Sequence, residues 1–221
     1  MLIFEYNQLK VKWVCKMINN YELKKMNQDY CQLYEEYGDN ERSLGWNKPK
    51  QRHRYDILFK MITKRSQLLF KKDIKLLDIG CGLAHFLSYL NEKKFTGIYL
   101  GVDANKIFVE KCRKKFPQNQ FFCEIVSDYY YNADIIVASG IFNRKFEASK
   151  NLIQDFIIGA SKSKAKVILA NFLHSAARKK NHKNYYTAIA DIEPFIDRNI
   201  IAGFEIDALT LPGEFTLGLY K

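Results

Sequence analysis

The sequence predicts an α/β fold in which helices cover both faces of a mostly parallel β-sheet. After residue 73, short apolar runs typical of buried strands alternate with segments of helical period. A glycine turn, Gly80-Cys81-Gly82, stands between the first apolar run and the next helical segment. Near the end of the chain, Pro212-Gly213 separates two strand-like runs. This predicts a terminal hairpin and an antiparallel last strand.

Two helices are predicted ahead of the sheet. Residues 26–37 place apolar groups on one helical face, and Gly38-Asp39-Asn40 ends that helix. A second helix is predicted over 51–69, where apolar side chains recur at helical spacing. Because these helices lie outside the strand-helix alternation, we divide the chain into an N-terminal helical extension or cap, 1–70, and a main domain, 71–221.

The stretch 1–25 mixes apolar and basic side chains without a clean period. A helix over 9–26 is one prediction for it. Such a segment would serve as a membrane-surface or partner helix, pack on the main domain, or form a loose tail. A further interpretation places the start of translation at Met26 and treats 1–25 as an upstream extension. The sequence leaves these alternatives open.

The main domain is predicted to contain seven strands in regular alternation with helices. The predicted strands are 74–79, 98–103, 119–124, 133–139, 165–171, 203–210 and 214–221. The predicted helices are 84–93, 106–115, 148–161 and 186–197.

Composition and charge narrow the classes of function. With 221 residues and 48% hydrophobic side chains, the chain has material for one good-sized core. Its five cysteines form no Cys-x-x-Cys pair, which favours reduced thiols and a cytoplasmic location. We expect Cys81 and Cys123 to lie in the core. No apolar run approaches the length of a membrane span. The net charge of +11 favours nucleic acid, an anionic membrane surface or an anionic substrate as a partner.

The glycine turn is framed by acids that suit a nucleotide-like ligand. Asp103 ends the second predicted strand about 20 residues after Gly82, near the spacing at which a carboxylate reaches ribose hydroxyls. Its alternative role is the N-cap of the helix that begins at Ala104-Asn105. The dinucleotide fingerprint requires a third glycine where this chain has His85. Asp78, just before the glycines, would repel a pyrophosphate and suits a ligand with an amino group.

This ordered set of acid, glycines and second acid resembles motifs I and II of class I S-adenosylmethionine (SAM)-dependent methyltransferases. The resemblance implies a doubly wound, Rossmann-like α/β domain at 71–221, SAM as cofactor and S-adenosylhomocysteine (SAH) as product. Asp78 would accept from the ammonium and Asp103 from the ribose, and Glu124, with Asp128 as its rival, would contact adenine. The implied cofactor-binding residues are Asp78, Gly80, Cys81, Gly82, Asp103, Ala104, Glu124, Ser139, Gly140, Trp46 and Arg54.

Further short motifs, spread over nearly the whole chain, resemble a bacterial small-molecule subgroup of these methyltransferases. The motifs are GDN-x-x-x-LGW-x-x-x-x-Q-x-x-R-Y, LLDIGCG, ASGIFN, NFL and EFTLGLYK. By this resemblance Trp46, Gln51 and Arg54 form a lid on the cofactor side, and Arg54 pairs with the methionine carboxylate. A plain packing anchor is the alternative role of Trp46. The chain departs from the subgroup at His85, where an acid is usual, and in the short region 127–132.

Residues that follow the fourth and fifth predicted strands lie on the acceptor side. Ile141, Phe142 and Asn143 are expected to overhang the transferred methyl group. If the acceptor is a hydroxyl, His174 is the best-placed general base, because an unperturbed histidine titrates near neutral pH. The alternative for His174 is an ordinary surface-loop histidine. The candidate catalytic residues are therefore His174 and Asn143.

A basic run at 176–186 follows on the same side. It is either a solvated charge run or a site that captures an anionic acceptor, with Tyr185 or Tyr186 closing the pocket. The candidate substrate-binding residues are Phe142, Asn171, Arg178, Tyr185 and Tyr186.

Three hypotheses about function remain. The leading one is SAM-dependent methyl transfer to a small polar or anionic acceptor, with O-methylation in surface-glycan or specialised metabolism. No paired metal-binding acids are evident, so no metal is expected. An RNA methyltransferase is supported by net charge alone, and no Asn-Pro-Pro-Tyr-like tetrapeptide favours base methylation. The third hypothesis is a non-catalytic SAM-binding protein. A small-molecule acceptor is thus the expected partner, rather than nucleic acid or a membrane.

Overall fold

A seven-stranded sheet forms the centre of the described part of the chain, which is residues 19–65, 68–124 and 132–221 of a computed structural model. Its spatial order is β3-β2-β1-β4-β5-β7-β6, with parallel pairs among β1 to β5 and with β7 antiparallel to both β5 and β6. The predicted parallel sheet with a terminal hairpin is confirmed. The strands are β1 (Lys75–Ile79), β2 (Ile98–Asp103), β3 (Gln120–Cys123), β4 (Ile135–Ser139), β5 (Val167–Leu173), β6 (Gly203–Asp207) and β7 (Glu214–Tyr220).

Helices cover both faces of the sheet, because successive strand residues point to opposite sides. Leu76 of β1 joins an apolar layer with side chains of α2, α3 and α4, whereas its neighbour Leu77 joins a second layer with α5. No helix within the described ranges is long and apolar enough to cross a membrane. The helices are α1 (Asn20–Tyr37), α2 (Lys48–Arg65), α3 (His85–Glu92), α4 (Lys106–Lys115) and α5 (Ser149–Lys162).

The two N-terminal helices begin earlier than their hydrophobic period predicts. The Asn19 side chain accepts a hydrogen bond from the Glu22 amide at 2.8 Å, so α1 begins at Asn20 rather than at Met26. Likewise α2 begins at Lys48, not at residue 51, and it ends at Arg65. A polar capping side chain sets where each helix begins, and the spacing of apolar residues contains no information about that cap. The predicted segment 9–18 lies outside the described residues, as do Cys15 and Asp128.

The helix predicted over 186–197 is wrong. Two single-turn 3₁₀ helices, Ile189–Asp191 and Glu193–Phe195, stand there instead. Pro194 explains the difference, because its ring removes an amide donor and disfavours helical geometry at the residue before it. Just upstream the chain is extended, since Thr187 forms an isolated bridge with His174.

Strand lengths also differ from the predicted ones. β5 continues to Leu173, because β7 pairs along it as far as Glu214. β6 ends at Asp207, whose carboxylate accepts hydrogen bonds from the next turn at Leu209 and Thr210.

The cysteines for which the structure describes a state are free thiols at Cys31, Cys81, Cys112 and Cys123. Cys81 is buried as predicted, whereas Cys123 is exposed. The expectation of a core position for Cys123 is therefore wrong. The reason is its place at the end of β3, which is an edge strand of the sheet.

β1 lies where the strand order reverses. β2 and β3 extend to one side of it, and β4 and β5 extend to the other. In an open α/β sheet, ligands bind beyond the carboxyl ends of the strands at this reversal. The carboxyl ends of β1, β2 and β4 are Ile79, Asp103 and Ser139. The sheet therefore brings the sequence motifs together at the carboxyl ends of its central strands.

Candidate functional site

The glycine turn after β1 carries the chain close to its neighbours. Gly80 and Gly82 have positive φ angles of 70° and 54°, which only glycine adopts without strain. A Cβ added to Gly80 would come within 2.0 Å of Ile141, and one added to Gly82 within 2.9 Å of Leu44. At both positions the backbone therefore lies close to a neighbouring side chain, at the carboxyl ends of the strands. The buried Cys81 between them contributes backbone to the same turn.

Asp103 lies at the end of β2 and faces this turn. Its two carboxylate oxygens accept from the amides of Gly82 and Asn105, each at 2.8 Å. Burial raises the pKa of Asp103, and these two hydrogen bonds oppose that rise. The N-cap of α4 is Asn105, which accepts from the Ile107 and Phe108 amides. The alternative role of Asp103 as the helix N-cap is therefore wrong.

Asp78 is enclosed, with only 2% of its surface exposed. The Tyr99 hydroxyl donates to it at 2.5 Å. Burial raises the pKa of Asp78 to about 7, although the bond from Tyr99 acts in the opposite direction. Sequence reasoning missed Tyr99, yet a signal exists. Asp78 pairs in register with Gly101, and Tyr99 lies two residues earlier on the same face of β2.

The segment between α1 and α2 lies over the strand edge. It contains a 3₁₀ helix, Glu41–Leu44, and then Trp46. A Cβ added to Gly140, which follows β4, would come within 2.6 Å of the Trp46 ring. The predicted lid residue Trp46 and the predicted cofactor residue Gly140 are thus in contact. Ser139 is half-buried beside them.

Arg54 is buried behind Trp46 and already has a partner. Its Cζ lies 3.6 Å from the Trp46 ring centroid, and its Nε and Nη2 both donate to the Glu214 carboxylate at 2.6 Å. Sequence reasoning missed Glu214, which stands 160 residues away in the chain. The binding of a ligand carboxylate by Arg54 stays a prediction.

His85, which stands where the dinucleotide fingerprint has its third glycine, is held by two neighbouring side chains. Its Nε2 pairs with Asp39 at 2.9 Å and its Nδ1 with the amide of Gln51 at 3.3 Å. Lys115 also binds Asp39, at 2.7 Å, and the hydrogen bond from His85 is the largest cause that lowers the pKa of Asp39 to about 2. His85 therefore ties the loop after α1 to α2, which accounts for a histidine at this place without a ligand.

Helix α1 contacts the loops that follow β2 and β4. Asn27 donates to the Ala104 carbonyl, after β2, at 3.3 Å. Asp29 forms an ion pair with Arg144, after β4. The Asn27 Oδ1 atom is buried without a hydrogen-bond partner. This polar atom beside the predicted ribose residues had no signal in the sequence, because Asn27 belongs to no motif.

Several buried polar side chains without partners lie near the carboxyl ends of β4 and β5. Asn171 is 1% exposed; its Oδ1 accepts from the Gly140 amide at 2.7 Å, while its Nδ2 has no partner. Both polar atoms of the Asn143 side chain and the Thr187 hydroxyl are also unpaired. Backbone hydrogen bonds from Tyr185 to Asn143 and from Thr187 to β5 join these segments. A buried polar group without a partner costs about 1–3 kcal/mol of folding free energy. Each of these groups therefore requires an explanation, and contact with a bound ligand is one. Thr187 was missed because its segment was predicted as helix.

The geometry of His174 opposes the predicted base role. Its Nδ1 accepts a hydrogen bond from the Ala176 amide at 2.8 Å. In the neutral ring the proton is then on Nε2, so that nitrogen donates and cannot accept. Proton abstraction by Nε2 would require the ring to change tautomer and lose this bond. In this conformation Nε2 of His174 is a hydrogen-bond donor, and the role of His174 as a general base stays a prediction.

Phe142 also differs from expectation. Its ring stacks on Phe172 at 5.1 Å and packs on Phe156 at 5.2 Å, inside the apolar layer under α5. It therefore belongs to the core and does not overhang the strand edge. Ile141, which was expected beside it, lies over Gly80.

The side chains of the remaining candidates, three from the acceptor side and Glu124 from the cofactor side, are half-buried or exposed. Tyr185 packs half-buried on the α5 layer, and the Tyr186 hydroxyl accepts from the Asn181 amide at 2.8 Å. Arg178 and Glu124 are exposed. Among the described residues, no group of three or more histidine, cysteine or acidic side chains is placed to hold a metal ion.

No protein-family model matches this sequence, and no curated protein matches it either. Among solved structures it is similar to the plantazolicin methyltransferase BpumL in complex with a triazolic desmethylPZN analog and SAH. The identity is 15% and the TM-score 0.60, over 92% of this chain and 99% of that one.

Two further solved structures have similar folds. One is a TehB-like SAM-dependent methyltransferase from Corynebacterium glutamicum ATCC 13032, at 15% identity and a TM-score of 0.55, over 90% of this chain and 99% of that one. The other is magnesium protoporphyrin IX methyltransferase (ChlM) from Synechocystis PCC 6803 with bound SAM. There the identity is 13% and the TM-score 0.57, over 77% of this chain and 79% of that one. At such low identity these similarities establish the fold. The chain has the Rossmann-like fold of class I SAM-dependent methyltransferases, as predicted.

Proposed function

We propose that this protein transfers a methyl group from SAM to a small polar or anionic acceptor, by O-methylation in surface-glycan or specialised metabolism. One observation carries the proposal: Asp78, the glycine turn and Asp103 meet at the strand-order reversal of a sheet whose fold is that of known SAM-dependent methyltransferases. BpumL and ChlM, which have this fold, are described with SAH and SAM bound, and this supports the same cofactor here.

The residues present fit such a cofactor. Asp78 is a buried carboxyl that an ammonium group would help to ionise, and Asp103 offers a carboxylate held by two backbone amides. A side chain at Gly80 or Gly82 would fill the turn. SAM would supply a methyl group on a sulfonium that already carries its leaving group, so the chain's own residues contribute alignment. Trp46 and Arg54 are assigned to the cofactor side, and Arg54 to the methionine carboxylate.

On the acceptor side, Asn143 and Asn171 are assigned to hold the acceptor through their unpaired amide groups. The His174 geometry favours an oxygen that is already anionic, because such an acceptor needs no general base. The exposed basic run that includes Arg178 supports the same preference.

Calorimetry tests the cofactor assignment directly. We expect SAH to bind in the micromolar range and NAD not to bind, and we expect Asp103→Ala to weaken SAH by about 2–4 kcal/mol, since each charge-assisted hydrogen bond contributes about 1.5–3 kcal/mol. Asp73→Ala is the matched control, because this exposed carboxylate precedes β1 at the opposite edge of the sheet. NAD binding tighter than SAH, or an Asp103→Ala affinity within twofold of wild type, would contradict the proposal.

The acceptor assignment has its own assay. SAH release from SAM is followed with small acceptors that carry a carboxylate, a phosphate or only hydroxyl groups. Turnover with the anionic compounds supports the proposal. Turnover confined to neutral hydroxyl compounds would contradict the preference for an anionic oxygen while leaving methyl transfer intact.

A further inference from the structure

The ion pair between Arg54 and Glu214 is a buried carboxylate contact that no role proposed above uses. Arg54 is 2% exposed and Glu214 is 6% exposed. The Nε and Nη2 atoms each donate to one carboxylate oxygen at 2.6 Å, which is the two-pronged geometry that orients a guanidinium plane most firmly. Removal of one partner from such a pair leaves an uncompensated buried charge. The charge and orientation of Arg54 therefore depend on Glu214.

The other contact of Arg54 leads to the strand edge. The guanidinium is centred 3.6 Å from the Trp46 ring centroid, and the same ring closes on Gly140 at the end of β4. Arg54 therefore lies one aromatic ring away from the edge at which Asp78 and the glycine turn meet. Glu214 is at the same edge, because it pairs in register with Leu173, the last residue of β5.

These contacts leave one nitrogen of Arg54 available. Nε and Nη2 are held by Glu214, and Trp46 covers the guanidinium face. Within the described residues, the hydrogen bonds of the Arg54 side chain are those of Nε and Nη2, and Nη1 makes none. An arginine fixed in this way loses little further conformational freedom when a second carboxylate binds to the remaining nitrogen.

We propose that Glu214 is a positioning residue that orients Arg54, so that Nη1 receives the carboxylate of a ligand with an amino-acid moiety. This inference rests on the proposed function, in which Arg54 binds the methionine carboxylate. It assigns to Glu214 a part in ligand selection, namely the discrimination between ligands with and without that carboxylate. Trp46 supports the same orientation by stacking.

Glu214 could instead only neutralise the charge of Arg54. The two roles predict opposite changes in carboxylate affinity, so one substitution distinguishes them. If Glu214 merely neutralised Arg54, it would compete with the ligand carboxylate, and Glu214→Gln would tighten carboxylate binding. If Glu214 orients Arg54, the same substitution removes one anionic acceptor and loosens the guanidinium, so binding weakens. The isosteric amide keeps the side-chain volume in both cases, which limits repacking of the site.

The experiment measures two ligands against matched variants by calorimetry. SAH carries the amino-acid carboxylate, and 5′-methylthioadenosine lacks it. We expect Glu214→Gln to weaken SAH at least about fivefold while 5′-methylthioadenosine stays within twofold of wild type. Glu205→Gln is the control, because Glu205 also pairs with α2, through Lys64, but at an exposed site. It should change neither affinity.

Tryptophan fluorescence adds a readout that does not depend on a ligand. In a Trp13→Phe background Trp46 is the only tryptophan, since the chain contains two. Glu214→Gln should shift the Trp46 emission, because the stacked guanidinium is released, whereas Glu205→Gln should not. If Glu214→Gln does not fold, Glu214→Asp, which keeps the charge and withdraws the carboxylate, should give the same selective loss of SAH.

The proposed function and the positioning role of Glu214 are refuted by different results. Absence of SAH binding by the wild-type protein would refute the proposed function. SAH binding that is unchanged or tighter in Glu214→Gln would overturn the positioning role and leave the proposed function in place. Equal weakening of SAH and 5′-methylthioadenosine would also overturn it, because a general structural defect does not discriminate between the two ligands.

Discussion

At the scale of single residues, the buried carboxyl of Asp78 makes the free energy of unfolding depend on pH. Burial raises its pKa to about 7, well above the value of an exposed aspartate. Between about pH 4 and pH 7 the folded chain therefore holds a proton that the unfolded chain releases. The corresponding stabilisation is complete below that range and is lost as the pH rises through 7.

Asp78→Asn should remove this dependence. We expect the free energy of unfolding of the variant to exceed that of wild type at pH 8, by at most roughly 4 kcal/mol at about 1.4 kcal/mol per pKa unit. The difference should shrink toward pH 5. Urea unfolding at both values measures it, with Asp73→Asn as the exposed control. A wild-type pH slope retained by Asp78→Asn would show that another group carries the effect.

The hydrogen bond at His174 leads to a second prediction at this scale. Because Nδ1 accepts from the Ala176 amide, His174→Ala should lower kcat by less than about tenfold, not by the 10²–10⁴ typical of a lost general base. The kcat–pH profile should keep its shape. A loss of a hundredfold or more, together with loss of a limb near the histidine pKa, would restore His174 as the base.

At the scale of elements, α1 joins the loops that follow β2 and β4. It contacts Ala104 after β2 through Asn27, and Arg144 after β4 through Asp29. Its first turn contributes as well, since Glu22 accepts from the Glu147 amide at 3.1 Å. A helix placed in this way stabilises the relative position of both loops.

Two truncations test the contribution of the first turn of α1. Deletion of residues 1–18 keeps the cap formed by Asn19, and SAH affinity should stay within twofold of the full chain. Deletion of 1–25 removes the cap and Glu22, so SAH should bind more weakly and the melting temperature should fall, because an N-cap alone contributes about 0.5–2 kcal/mol. Asn19→Ala in the full chain isolates the cap. Identical behaviour of both truncations would exclude a role for this turn.

At the scale of the whole molecule, the net charge of +11 is separate from the candidate cofactor site. The charges of Asp78 and of the Arg54–Glu214 pair at that site are buried. SAH affinity should therefore change less than about threefold between 50 mM and 500 mM salt, because buried charges are weakly screened. Calorimetry at the two concentrations measures this. A steep decrease would indicate exposed charges in the site, and a steep salt slope for RNA would favour the RNA hypothesis.

Sequence patterns predicted the parts of this molecule that depend on neighbours along the chain. The glycine turn, the end of β2 at Asp103 and the terminal hairpin follow from local residue types. Glu214 as the partner of Arg54 was not predictable in this way, because the contact depends on β7 lying beside β5. Thr187 was missed for a local reason, since Pro194 overrides the apolar period that predicted a helix.

The position of β7 between β5 and β6 has a consequence for the order of assembly during translation. β6 leaves the ribosome before β7, yet in the finished sheet its strand partner is β7. Until β7 emerges, β5 has unpaired backbone groups along one side. Arg54 is by then synthesised, but its partner Glu214 is not. Until β7 is added, the nascent chain is therefore exposed to edge-to-edge association along β5. Insertion of β7 covers this side of β5 and neutralises the buried arginine in the same step.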